Sequence, residues 1–173
     1  ISYTSNNICV GDSIYVSTWA SYGVPPYNYN WSFNPTGVPS LGTGASTSIV
    51  FPNIVNNTIY AIITDACNNT AVDSLPITVN YAAAVATPTN DTLCSGETTS
   101  INITSPVAGT TFTWTVDQVG VVGGMAGNGN SIAQTLTTVG GTQGTATYTI
   151  TPQNGGCTGV PVIVTVVVNA PIN

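Results

Sequence analysis

Six carboxylates and four thiols are the chemically active side chains of this 173-residue chain: Asp12, Asp65, Asp73, Asp91, Glu97 and Asp117, with Cys9, Cys67, Cys94 and Cys157. There is no Lys, Arg or His, so the formal charge is −6 and only 3% of residues are charged, against about a quarter in ordinary soluble domains. A Ser-His-Asp or Cys-His set, a Lys Schiff base and an imidazole-ligated metal are therefore excluded. Phosphate clamps and nucleic-acid binding go with them, because nothing neutralises phosphate. A paired-carboxylate glycosidase needs two acids across a cleft, yet most of these acids stand beside turn residues, where they bond their own backbone. The chain is read as no enzyme. For calcium, hard oxygen ligands are plentiful and Asp91 with Glu97 are the candidate pair, although no D-x-D-x-D-G loop exists. Zinc has neither His nor a C-x₂-C spacing.

The elements that would position these groups come in two copies. Ile8-Cys9-Val10-Gly11-Asp12-Ser13 returns as Leu93-Cys94-Ser95-Gly96-Glu97-Thr98, and Tyr29-Asn30-Trp31-Ser32-Phe33 as Phe112-Thr113-Trp114-Thr115-Val116. Tyr60 to Cys67 matches Tyr148 to Cys157, and each copy closes on a β-rich run, Leu75 to Asn80 and Pro161 to Asn169. The division predicted is 1–82 and 83–173, joined by a short stiff linker over 81–88 (YAAAVATP). A two-repeat segment of a longer array is the expectation, with a complete two-domain protein as its alternative.

Short runs rich in Val, Ile, Thr and Tyr, broken by Gly, Pro and Asn clusters, predict an all-β fold of two tandem immunoglobulin-like or PKD-like sandwiches. Predicted strands include 13–19, 27–33, 58–64 and 145–151. Tyr27, Tyr29, Trp31 and Phe33 alternate with polar residues, as do Phe112, Trp114 and Val116. Trp31 and Trp114 are assigned to the core. The exposed candidates for ligand stacking are Trp19 and Tyr22, near a Gly-Val-Pro-Pro turn. Gly120 to Gly129 reads as a flexible loop and not a P-loop, having no lysine. No apolar run reaches the roughly 20 residues of a membrane span, and residues 1–15 lack signal-peptide features.

Two cysteines per copy predict disulfides in an oxidising compartment. Repeat symmetry favours Cys9 with Cys67 and Cys94 with Cys157, each closing about 60 residues and contributing roughly 4 kcal/mol in the chain-entropy model. A bridge between repeats, Cys9 with Cys157, is the alternative, since an immunoglobulin-like layout separates Cys9 from Cys67.

The order C-x-G-D at Cys9 to Asp12, G-V-P-P-Y-N-Y-N-W at Gly23 to Trp31 and T-D-A-C at Thr64 to Cys67 resembles the repeats of large Bacteroidota surface proteins. These are gliding-motility adhesins exported by the type IX secretion system. The second copy is similar to their PKD-like modules, although Asp117-Gln118-Val119-Gly120 stands where F-G-D-G is usual. The resemblance implies a secreted, surface-exposed stalk or adhesive module whose partners are neighbouring repeats, further copies of itself or surface glycans. It also implies O-glycosylation at Asp-Ser/Thr-apolar triplets, making Ser13, Ser74 and Thr92 the candidate sites, with Ser13 and Thr92 in turns. One alternative is a filament subunit whose edge strands, such as Val162 to Val168, pair with a neighbour; another is a calcium-dependent carbohydrate-binding module.

Overall fold

The computed structural model describes residues 1–53, 57–87 and 90–171. They form two compact units, Ile1–Asn80 and Tyr81–Asn173, so the division falls at 80/81. The first contains β1 Ser2–Tyr3, β2 Asn7–Cys9, β3 Ser13–Ser17, β4 Asn28–Ser32, β5 Ser40–Thr43, β6 Ser46–Val50, β7 Asn57–Thr64 and β8 Thr70–Asn80. The second contains β9 Val85–Thr87, β10 Asn90–Cys94, β11 Ile101–Thr104, β12 Thr111–Val119, β13 Val121–Val122, β14 Gly127–Asn128, β15 Ser131–Ile132, β16 Thr137–Thr138, β17 Gly144–Asn154, β18 Cys157–Thr158 and β19 Val162–Asn169. The fold is all β, two immunoglobulin-like sandwiches in tandem.

In the first unit a sheet β2-β8-β7-β4-β5 faces a sheet β1-β3-β6. In the second, β10-β19-β17-β12-β14 faces β15-β11-β9, with β13 and β16 as a small extra pair. Alternation drives the packing, because successive side chains leave opposite faces of a strand. Ile14 and Val16 are buried while Tyr15 between them is exposed; Ala146, Tyr148 and Ile150 do the same on β17, and Val164, Val166 and Val168 on β19. Trp31 and Trp114 lie in the two cores, and each indole donates to a backbone carbonyl, of Gly44 (2.9 Å) and Met125 (3.1 Å).

One landmark recurs in both units. The first strand of the large sheet lies parallel to the last: Asn7–Cys9 against Thr78–Asn80, and Asn90–Cys94 against Thr165–Asn169.

Four expectations are corrected. Val162 to Val168 is an edge only at its start: Val162–Val164 pairs with β17 alone, whereas Thr165–Val168 is paired with β10 on one side and β17 on the other. Its apolar residues are needed because one face of it is core. Residues 120–129 are not a loose loop: they contain β13 and β14, and Val121 is buried. Glutamine amides fasten what lies between. Gln118 donates to the Gly124 carbonyl (3.1 Å) and accepts from its amide (2.7 Å), while Gln134 does the same for Met125 (2.7 and 2.8 Å). The linker is shorter than 81–88, because Val85–Thr87 pairs with β11; Pro88 lies outside the described residues. Ser32, placed on a polar face by alternation, is fully buried. A bulge between Trp31 and Ser32 turns it inward, where its hydroxyl donates to the Pro39 carbonyl (2.7 Å) and accepts from the Asn34 amide (3.1 Å).

Candidate functional site

The C-x-G-[DE] motif is a turn, and both copies build it the same way. The Cys9 amide donates to Asp12 Oδ2 (3.0 Å) and the Asp12 amide returns to the Cys9 carbonyl (3.0 Å). The Cys94 amide donates to Glu97 Oε2 (2.7 Å) and the Glu97 amide returns to the Cys94 carbonyl (3.1 Å). Gly11 and Gly96 have φ of 90° and 95°, a region open to glycine and strained for residues with a Cβ. Their amides reach across to Phe51 and Leu136, each at 2.8 Å. The motif carboxylate thus serves as a backbone acceptor that fixes where the cysteine stands.

Three other acids are committed in the same fashion. Asp73 Oδ1 accepts from the Ser74 amide and Asp91 Oδ1 from the Thr92 amide, both at 2.8 Å. Asp65 is buried and takes four donors: the Val24 amide (3.2 Å), the Cys67 and Asn69 amides (2.9 Å each) and the Asn69 side chain (3.1 Å). Donation from Asn69, side chain first and backbone next, holds its carboxyl below the ordinary value of 3.8, against the opposing effect of burial. The calcium candidates Asp91 and Glu97 each bind an amide of their own strand or turn, and among the described residues no three acidic or sulfur ligands come together. The glycosylation candidates Ser13, Ser74 and Thr92 are all exposed. Only Ser13 adjoins a turn, as the first residue of β3; Thr92 lies within β10 and Ser74 within β8. Their preceding aspartates cap the next amide without reversing the chain.

The intra-repeat disulfides do not form. Cys9 and Cys157 are disulfide-bonded, whereas Cys67 and Cys94 are free and exposed. Strand length explains it. Cys9 stands opposite Asn80 at one end of β8, and Cys67 lies in the turn before Thr70 at the other. Ten residue steps of about 3.3 Å separate those ends by about 33 Å, while a disulfide needs Cα atoms within about 7 Å. Cys94 and Cys157 flank β19 in the same way, opposite Asn169 and before Val162.

Trp19 and Tyr22 stand out from the first unit, 70% and 91% exposed. They border a groove of about 350 Å³ floored by Tyr27, Ile63, Asp65 and Asn69. A second groove, of about 320 Å³, runs along Thr18, Ile63, Ala71 and Val72 and shares Trp19 as a wall. The indole is thus a fin between two shallow grooves. The sequence identified both aromatics but not Asp65 as the group that fixes the loops around them; its T-D-A-C setting was the only signal.

Residues 91–171 match the family model of a PKD-like domain, so the second unit is similar to that module. No curated protein matches the chain. Among solved structures, the N-terminal four Ig domains of Dscam1 isoform 6.9 align at 14% identity and a TM-score of 0.41, over 94% of this chain and 42% of theirs. Murine CEACAM1b aligns at 10% identity and 0.37, over 93% of this chain and 96% of its own. The chain thus spans under half the length of the Dscam1 structures. Disulfides form and persist in oxidising compartments, so the bonded cysteines fit an extracellular domain.

Proposed function

We propose that the chain is a spacer or stalk module of a secreted bacterial surface protein of the adhesin kind. The observation that carries this reading is the parallel pairing of first and last strands in both units. Tension applied at the two ends of a unit pulls the start of one strand against the end of its parallel neighbour. Such a pair is loaded in shear, so its hydrogen bonds must fail together rather than one at a time. The similarity of the second unit to a PKD-like domain and the bonded cysteines support an extracellular setting. Force spectroscopy of the reduced chain tests it: two unfolding events well above the force that unzips a β-hairpin are expected. Yielding of both units at hairpin-like force overturns the spacer role.

A second reading, favoured by the Trp19 fin, gives the first unit weak contact with surface glycans through stacking on the indole and on Tyr22. Trp19→Ala would then abolish glycan-array signal with the melting temperature unchanged. Repeating the array with EDTA separates direct stacking from calcium-assisted binding through Asp91 and Glu97. Signal that survives Trp19→Ala removes the reading. O-glycosylation at Ser13, Ser74 and Thr92 belongs to the same surface setting, and the intact mass of natively exported protein checks it.

A further inference from the structure

The groove beside Trp19 holds a charge that the chain does not compensate. Asp65 is only 7% exposed and lines that groove together with Trp19, Tyr22 and Tyr27. All four donors to its carboxylate are neutral: the Val24, Cys67 and Asn69 amides and the Asn69 carboxamide. They hold its carboxyl below 3.8, so it is ionised at neutral pH. With no Lys, Arg or His in the chain, no side-chain cation answers it, although buried charges are ordinarily paired. The second copy turns at the matching place with Gly155-Gly156-Cys157, so the turn itself does not require a carboxylate. Gly23 keeps the approach to it open. A Cβ there would stand 3.0 Å from Asp65 Oδ2 and 3.5 Å from Tyr27 Cε1, and the Tyr27 hydroxyl, donating to the Gly23 carbonyl (3.2 Å), fixes the ring in place.

We propose that this groove docks an arginine side chain of a different protein, its guanidinium stacked on the Trp19 and Tyr22 rings and attracted by the Asp65 charge. Aromatic faces draw a cation lying within about 6 Å of the ring centroid, and a net charge of −6 steers a basic partner towards the chain. A second copy cannot supply the group, because this chain has no basic side chain to offer. Arginine is favoured over lysine because Asp65 already accepts four hydrogen bonds. Attraction must then come through ring faces and field, and a guanidinium is weakly hydrated and stacks flat, whereas an ammonium is strongly hydrated. The groove, about 350 Å³, lies at the small end of the roughly 300–1,000 Å³ of ligand clefts. It admits one side chain and not a helix. The inference goes beyond the spacer reading and competes with the glycan reading for the same rings.

The test is titration of the isotope-labelled full chain, followed by nuclear magnetic resonance at the Val24 and Asn69 amides, which bond to Asp65. The probes are N-acetylarginine amide, its uncharged isostere N-acetylcitrulline amide, and the neutral glycan cellotetraose. Saturable shifts with the arginine probe alone are expected. Trp19→Ala and Tyr22→Ala, at exposed positions, should each weaken binding about 2- to 30-fold. Asp65→Asn, held below its own melting temperature, should weaken it too. Equal shifts with the citrulline probe overturn the proposal, as does an arginine affinity that Trp19→Ala leaves unchanged. Silence with the arginine probe overturns it as well, and shifts with cellotetraose alone give the groove to a glycan instead.

Discussion

Asp12 and Glu97 occupy equivalent turns and accept the amide of the cysteine three positions earlier, at 3.0 and 2.7 Å. An exposed hydrogen bond of this kind contributes about 1 kcal/mol. Asp12→Ala and Glu97→Ala are each expected to lower unfolding free energy by that amount, read from urea titrations, while Asp117→Ala, on the exposed face of β12, should change nothing measurable. Asp65 makes a pH prediction. Its carboxyl is held below 3.8 in the fold, so the stability it contributes is fully present above that value and is lost as pH falls through the lower folded value. Asp65→Asn should therefore melt below the wild type at neutral pH, and the gap should narrow as the buffer is taken below about pH 4. A gap that widens in acid contradicts the role assigned to Asp65. None of these bonds needs a side-chain cation, which is how a chain with no Lys, Arg or His places its acids without ion pairs between side chains.

Residues 120–129 show where local reading stops. Composition marks them as loop, since glycine has no side chain to report burial. In the fold two short strands and the amides of Gln118 and Gln134 order them. A Cβ on Gly123 would stand 2.0 Å from the Thr135 carbonyl oxygen, whereas one on Gly140 would meet nothing within 4 Å. Both glycines have positive φ, 106° and 73°, so both alanine variants carry backbone strain of roughly 1–2 kcal/mol. Gly123→Ala should cost about 1–3 kcal/mol beyond Gly140→Ala, the penalty of overpacking against backbone. Equal melting temperatures for the two variants would mean that the segment is as loose as its composition reads. By contrast, β3 and β17 were legible because each sets inward apolar residues between outward polar or hydroxyl-bearing ones, and burial follows that period directly. Ser32 was not, since a bulge depends on the partner strand.

Across the whole molecule, the cysteines couple sequence to architecture. Reduction is expected to cost about 2–4 kcal/mol of unfolding free energy, and replacing Cys67 and Cys94 together by serine should leave the oxidised monomer unchanged, both measurable by denaturant titration. Trypsin should leave the reduced, unfolded chain whole, because it contains no Lys or Arg, whereas chymotrypsin should not. The repeat, the all-β class, the tryptophan cores and the excluded chemistries follow from the sequence by itself, because residue types and a two-residue period act locally and are written twice in the chain. Which cysteines bond, which strand is buried and which carboxylate pins the Trp19 loops were decided only by tertiary structure. Each depends on where strand ends lie in space: an 11-residue strand carries Cys9 and Cys67 to opposite poles of one unit, and no motif spacing states that length until the strand has formed.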